Sequence, residues 1–123
     1  MTRHAITASG VSKKFRLYTN RNQSLKRAFL QRSRGSYEDF WALRDVSLGI
    51  SEGTTFGLLG HNGSGKSTLL KCIAKILTPD EGSISSRGRM AAMLEVGSGF
   101  HPELSGRENI YLNGAILGMN RKE

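Results

Sequence analysis

A chain of 123 residues, 37% of them hydrophobic, is long enough for one small domain with a core of its own. No run approaches the ~18 consecutive apolar residues of a membrane-spanning helix, and the opening MTRHAITASGVSKKF lacks the apolar stretch and cleavage site of a secretory signal. The net charge of +8 comes from the first third: residues 1–44 hold ten Lys/Arg against two acids, and residues 45–123 balance. Such a patch faces an anionic partner or is a solvated face. Cys72 is the single cysteine, so no internal disulfide forms, and its place in a helical pattern reads as a small buried hydrophobe.

In chain order, residues 5–15 alternate loosely and read as a strand. Residues 16–40 are polar and basic. Within them SLKRAFLQR reads as a short helix with Ser24 as N-cap, Leu25 and Phe29 on one face, and a stop at Arg34-Gly35-Ser36. Residues 40–50 read as a strand with Leu43, Val46, Leu48 and Ile50 mostly on one side, followed by a turn at Ser51-Glu52-Gly53. TTFGLLG, residues 54–60, is a short apolar run between glycines and reads as a fully buried strand. KSTLLKCIAKIL carries Leu69, Leu70, Ile73, Ala74, Ile76 and Leu77 at helical spacing, with Pro79 closing the helix. Two short strands are expected around 83–87 and 90–96, then a loop over 97–102. Ser105 opens a helix through about Leu117, with Glu108 as its capping-box partner and Gly118 as its C-cap. The chain stops at MNRKE with no closing element, as the N-terminal portion of a longer protein would.

The densest signal is GHNGSGKST, residues 60–68. Gly60, Gly65, Lys66 and Ser67 meet the spacing G-x-x-x-x-G-K-[ST] between an expected strand and an expected helix. The chemistry needs those residue types. A loop that aims several backbone N–H groups at one anion must turn sharply and keep side chains out of the way. The helix that follows adds its free N–H groups and positive dipole end. Lys66 adds a full charge for the β- and γ-phosphates, Ser67 a hydroxyl for Mg²⁺, and Thr68 a hydroxyl on the α-phosphate side. A dinucleotide fingerprint starting at Gly63 would need glycine where Thr68 stands. The stretch reads as a nucleoside-triphosphate cradle.

ALRDVSLGISEGTTFGLLGHNGSGKSTLLKCIAKILTPDEGSI, residues 42–84, resembles the nucleotide-binding domain of ATP-binding cassette (ABC) proteins, and ELSGRENI resembles the segment after that family's Q-loop. LEVGSGFHPELSGRENIYLNGAILG at 94–118, with the basic insertion at 16–40, is similar to the subset that exports polysaccharides of the O-antigen, capsule or teichoic-acid kind. The resemblance implies an α/β fold: a P-loop NTPase core of the ABC ATPase type with an N-terminal antiparallel β region. Residues 1–123 would be the N-terminal part of one such domain, ending before the signature motif and Walker B.

The same resemblance implies ATP and Mg²⁺ as cofactors. Gly60, His61, Asn62, Gly63, Ser64, Gly65, Lys66, Ser67 and Thr68 would hold the nucleotide, with Lys66 catalytic and Ser67 on the metal. An aromatic about eight residues before the Asp45 position stacks on adenine in this family. Tyr37 fits without a gap and is the expected stacking residue; Phe15, which fits if the insertion follows it, comes next, and Trp41 last. The family's Q-loop glutamine is missing from Met93-Leu94-Glu95-Val96-Gly97. Glu95 is the nearest polar substitute, either as a catalytic Mg²⁺-binding carboxylate or as a solvent-facing strand end. His61, His101 and Glu103 match no zinc spacing.

The resemblance further implies a full-length ATP hydrolase that works as a homodimer on a membrane-spanning permease, at the cytoplasmic side of the inner membrane. The chain as given is expected to bind phosphate without turning over ATP by the family mechanism. Alternatives are the ATPase of a drug or lipid exporter, and a soluble ABC-type protein acting on nucleic acid. The insertion and the GFHPELSGRENIYLNG run argue against the first. The scarcity of aromatics in the basic patch argues against the second, and no nucleic acid is expected as a partner.

Overall fold

In the computed structural model, residues 3–18, 37–94 and 99–123 are described. Two long strands, β1 (His4–Tyr18) and β2 (Tyr37–Ser51), pair antiparallel, and a short β3 (Glu81–Ser86) lies antiparallel on the other side of β1, giving the sheet order β2-β1-β3. Helix α1 (Lys66–Ile73) packs on this sheet, and helix α2 (Gly106–Ile116) follows near the end of the chain. No helix among the described residues is long and apolar enough to cross a membrane.

The core explains why β1 and β2 are irregular. Ala8, Val11, Leu43, Leu69, Cys72 and Ile73 form the buried cluster, flanked by Ile6, Val46, Leu48, Leu58, Leu77 and Ile84. Leu69, Cys72 and Ile73 are spaced i, i+3, i+4 and present one helical face to the sheet. On the strands, however, Ala8 and Val11 differ by an odd number of positions, as do Leu43 and Val46. A regular strand would put each pair on opposite faces. Register shifts between Ala8 and Val11 on β1 and, opposite Val11 to Lys13, between Val46 and Leu43 on β2 correct the parity, with Gly10 at φ 58 and Asp45 at φ 48 in the left-handed region. The N–H of Asp45 donates to the Ser12 hydroxyl and the N–H of Gly10 to the Ser47 hydroxyl, each at 2.9 Å. Ser12 is itself buried, so the irregularity is satisfied inside the core. A further shift falls between Lys13↔Leu43 and Lys14↔Trp41, where Ala42 is the extra residue.

Three expectations need correcting. TTFGLLG is not a buried strand. It runs without strand pairing and largely exposed, Leu59 at 98%, because among the described residues no strand lies alongside to take its N–H and C=O groups. The helix from Lys66 does not reach Pro79. It ends at Ile73, because Lys75 adopts a left-handed φ of 62. The N–H of Lys75 then donates to the Cys72 carbonyl and that of Ile76 to the Lys71 carbonyl, which is the Schellman arrangement. Ile76 is left exposed while Leu77 folds back onto the core. Finally, residues 90–94 form no strand, and Met93 is 77% exposed. The helix expected around Ser24–Arg32 lies outside the described residues.

The second helix forms as the sequence suggests. The Ser105 hydroxyl accepts from the Glu108 N–H at 3.3 Å, and the Glu108 carboxylate accepts from the Ser105 N–H at 2.8 Å. Gly118, at φ 77, gives a second Schellman ending through Gly118 N–H to Ala115 and Met119 N–H to Gly114. The one buried residue of α2 is polar: the Asn109 carboxamide accepts from His101 N–H at 2.7 Å and donates to the His101, Leu104 and Ser105 carbonyls. It ties the preceding loop to the helix.

Candidate functional site

Residues 60–68 link the unpaired TTFGLLG segment to α1, and the helix begins at Lys66 with Gly65 as N-cap. Glycine at 65 is demanded twice. Its φ is 96, and a Cβ there would stand 2.5 Å from the Ala42 carbonyl oxygen on β2. The loop is therefore pressed against the sheet edge at the point where β2 carries its extra residue. No side chain caps α1 and no acid sits in its first turn, so the helix start keeps its N–H groups and its positive dipole end without a built-in anion.

The loop lines a cleft of about 320 Å³. One wall is the continuous run of residues 61–68, and Phe15, Phe40 and Ala42 from the β1–β2 pair form the other. All eight residues expected from 61 to 68 are thus brought together. Gly60 contributes through its backbone: the Lys66 Nζ donates to the Gly60 carbonyl and, at 2.9 Å, to the His61 carbonyl. The ammonium is held within the loop. Ser67 and Thr68 line the same cleft from the first turn of α1.

The aromatic candidates separate. Phe15 lines the cleft, whereas Tyr37 and Trp41 are outside its lining. The Arg16 guanidinium lies 4.5 Å from the Tyr37 ring centre, and Lys14 and Arg44 lie 5.5 and 5.1 Å from that of Trp41. Phe40 was not among the sequence candidates. The signal that finds it is the pairing register, which sets it directly opposite Phe15, and single-strand periodicity does not contain that information.

The basic residues described next to the cleft are partnered. Lys13 pairs with Asp80 at 3.2 Å, and Lys14 and Arg16 with Asp39 at 3.3 and 3.6 Å. The Asp80 carboxylate is held below the usual range chiefly by the Lys14 N–H, helped by Lys13. Burial pushes the Cys72 thiol up, which fits a packing role. Glu95 lies outside the described residues. Among the described residues no group of three or more His, Cys, Asp or Glu could hold a metal ion. The cleft lining carries neutral side-chain oxygens on Asn62, Ser64, Ser67 and Thr68, hard donors of the kind that suit Mg²⁺ together with phosphate oxygens. A larger groove of about 800 Å³ runs along α2, lined by residues such as Glu108, Tyr111, Ala115 and Met119. The glycine loop takes no part in it.

Comparison with known proteins agrees with the cleft. Residues 43–120 match the family model described as ABC transporter. The chain is 46% identical, over its whole length and 39% of the relative's, to the ABC transporter protein AbcA of Aeromonas salmonicida. It is 44% identical to the O-antigen export system ATP-binding protein RfbB of Klebsiella pneumoniae, with 96% of this chain and 50% of the relative covered. The teichoic acids export ATP-binding protein TagH of Shouchella clausii is 38% identical, with 94% and 32% covered. The chain spans half or less of the length of these relatives.

Proposed function

Since the chain belongs to the ABC transporter family, whose domain is a P-loop nucleotide-binding one, we propose that it is the nucleotide-binding part of an ATPase subunit that energises export of a cell-surface polysaccharide. The observation that carries the nucleotide half of this reading is the cleft itself: an uncapped helix start, glycines where a side chain would collide, and Lys66 held inside the loop. A triphosphate laid along residues 61–68 would meet backbone N–H groups, the helix dipole and the ammonium together. Lys66 would move from the Gly60 and His61 carbonyls to phosphate oxygens, a charge-assisted exchange. Mg²⁺ bound by Ser67 and the phosphates would offset their charge. The stacking role falls to Phe15, the one aromatic candidate that lines the cleft.

The polysaccharide half is supported by the printed functions of the relatives, O-antigen export and teichoic-acid export. A permease in the membrane and a second copy of the subunit are the partners this reading calls for, with the subunit on the cytoplasmic face. Titration of the full chain with a fluorescent ATP analogue tests the first half. Lys66→Ala is expected to weaken binding by about 100-fold, the loss of a charge-assisted contact plus its field, and unchanged affinity overturns the reading. Disruption of the gene tests the second half: the surface glycan is expected to disappear and accumulate inside the cell. A surface unchanged in glycan sinks the export assignment.

A further inference from the structure

We infer that Phe40 is a second base-binding residue, forming with Phe15 one continuous aromatic platform for the nucleobase. The inference rests on the nucleotide reading above and adds a residue to its site. Phe15 and Phe40 are direct partners across the β1–β2 pair, so their side chains rise from the same sheet face side by side. From Lys14 to Tyr18 the register is unbroken, so the neighbouring partners Lys14 with Trp41 and Arg16 with Asp39 take the opposite face. That opposite face is where the cations, the Asp39 carboxylate and the Trp41 ring engage one another. The face bearing the two phenylalanines is open: Phe15 is 36% and Phe40 51% exposed, with the Lys13 ammonium 5.7 Å from the Phe15 ring centre and the Leu17–Glu38 pair next along the strands.

Two large exposed rings side by side ask for a covering group, and the cleft supplies its identity. Both rings line the same cleft as residues 61–68. A nucleotide whose phosphates lie in the glycine loop has its base carried outward along that cleft by the ribose, toward the β1–β2 wall. A flat π-surface meeting two ring faces or edges there gains stacking and loses exposed apolar area. A purine is a two-ring system, broader than a single phenylalanine, and a paired platform matches it better than Phe15 alone. Stacking of this kind is tolerant of base identity, because every base has a π-face.

The test compares ATP, GTP and inorganic tripolyphosphate on the full chain carrying Phe40→Ala, Phe40→Leu or Phe40→Trp. Phe40→Ala is expected to weaken ATP and GTP by a similar factor, about five- to tenfold, and to leave tripolyphosphate unchanged. Phe40→Leu keeps apolar bulk without a π-face and is expected to follow the alanine variant. Phe40→Trp is expected to retain wild-type affinity. Unchanged ATP affinity in the alanine and leucine variants overturns the inference. So does an equal loss for ATP and tripolyphosphate, which marks Phe40 as structural. If Lys66→Ala still weakens binding by about 100-fold in either case, the nucleotide reading survives. Wild-type chain that binds none of the three overturns both.

Discussion

The two helices start in opposite ways. At α2 the Ser105 hydroxyl and the Glu108 carboxylate close the first turn on itself, and the negative charge sits against the positive dipole end. At α1 the N-cap is a glycine in the left-handed region, with no side-chain cap and no acid in the first turn. One helix carries its own anion and the other leaves that position open. The difference also shows in what holds each helix. α1 lays Leu69, Cys72 and Ile73 into the sheet core, whereas α2 buries only Asn109. A glycine at the N-cap loses only about a few tenths of a kcal/mol relative to a side-chain cap. At α1 apolar packing offsets that loss, so the cap position is available for function. At α2 packing is slight, and the cap is needed for the helix itself.

The strongest way to break this contrast is to fill the open start. Gly65→Val combines a disfavoured backbone with a Cβ against the Ala42 carbonyl. It is expected to destabilise the chain by about 2 kcal/mol or more and to abolish nucleotide binding. Thermal unfolding and the ATP titration read the two effects, and a variant that keeps wild-type affinity would show that the loop is not pressed on the sheet. Opening the closed start is expected to do less. Ser105→Ala should cost α2 about 1 kcal/mol and leave ATP affinity alone, as seen by amide exchange over residues 106–116. Acid should act the same way. The Glu108 carboxyl is held below its ordinary value of 4.5 mainly by the Ser105 N–H, so its contribution is full above about that pH and is lost as pH falls through the lower folded value. α1, with no acid in its first turn, should not fray in that window; simultaneous loss of both helices would refute the contrast. The smallest expected effect is at the other end of α1. Lys75→Gly relieves a left-handed non-glycine residue that Gly118 avoids at the matching position of α2. It should raise stability by about 1 kcal/mol, measured by denaturant midpoint, and a loss of stability would mean that the Lys75 side chain makes a contact worth more than the strain.

How much of this was legible in the sequence follows from the range of the interactions involved. The glycine-loop motif and the α2 capping box are local, complete within nine and four residues: the capping box forms as expected, and the glycine loop leads directly into α1. Apolar alternation stops a few residues short of the outer ends of β1 and β2, where pairing with each other carries the strands to Tyr18 and Tyr37. TTFGLLG has the composition of a buried strand, but a strand needs neighbours, and among the described residues it has none. The early end of α1 was hidden because Lys75 is a good helix former forced into a left-handed turn, whereas Pro79 is an obvious stop four residues later. Phe40 was hidden because its role depends on which residue of another strand it faces. Asn109 was hidden because a carboxamide on a short helix is ordinarily solvated, and only the loop folding over it makes it a hub.

The irregularities in β1 and β2 also bear on how this chain can change in length. Alternation makes a strand sensitive to odd counts: adding or removing one residue turns every later side chain over, and adding two restores it. The extra positions at Gly10, Asp45 and Ala42 decide that Val11, Leu43, Phe15 and Phe40 all look toward α1 and the glycine loop. Deleting any one of them would leave composition and hydrophobicity nearly untouched while turning one of the two rings to the other side of the sheet, Phe15 for Gly10 and Phe40 for Asp45 or Ala42. Length variation in this hairpin should therefore be tolerated in the stretch between β1 and β2, and within the paired arms only in steps of two.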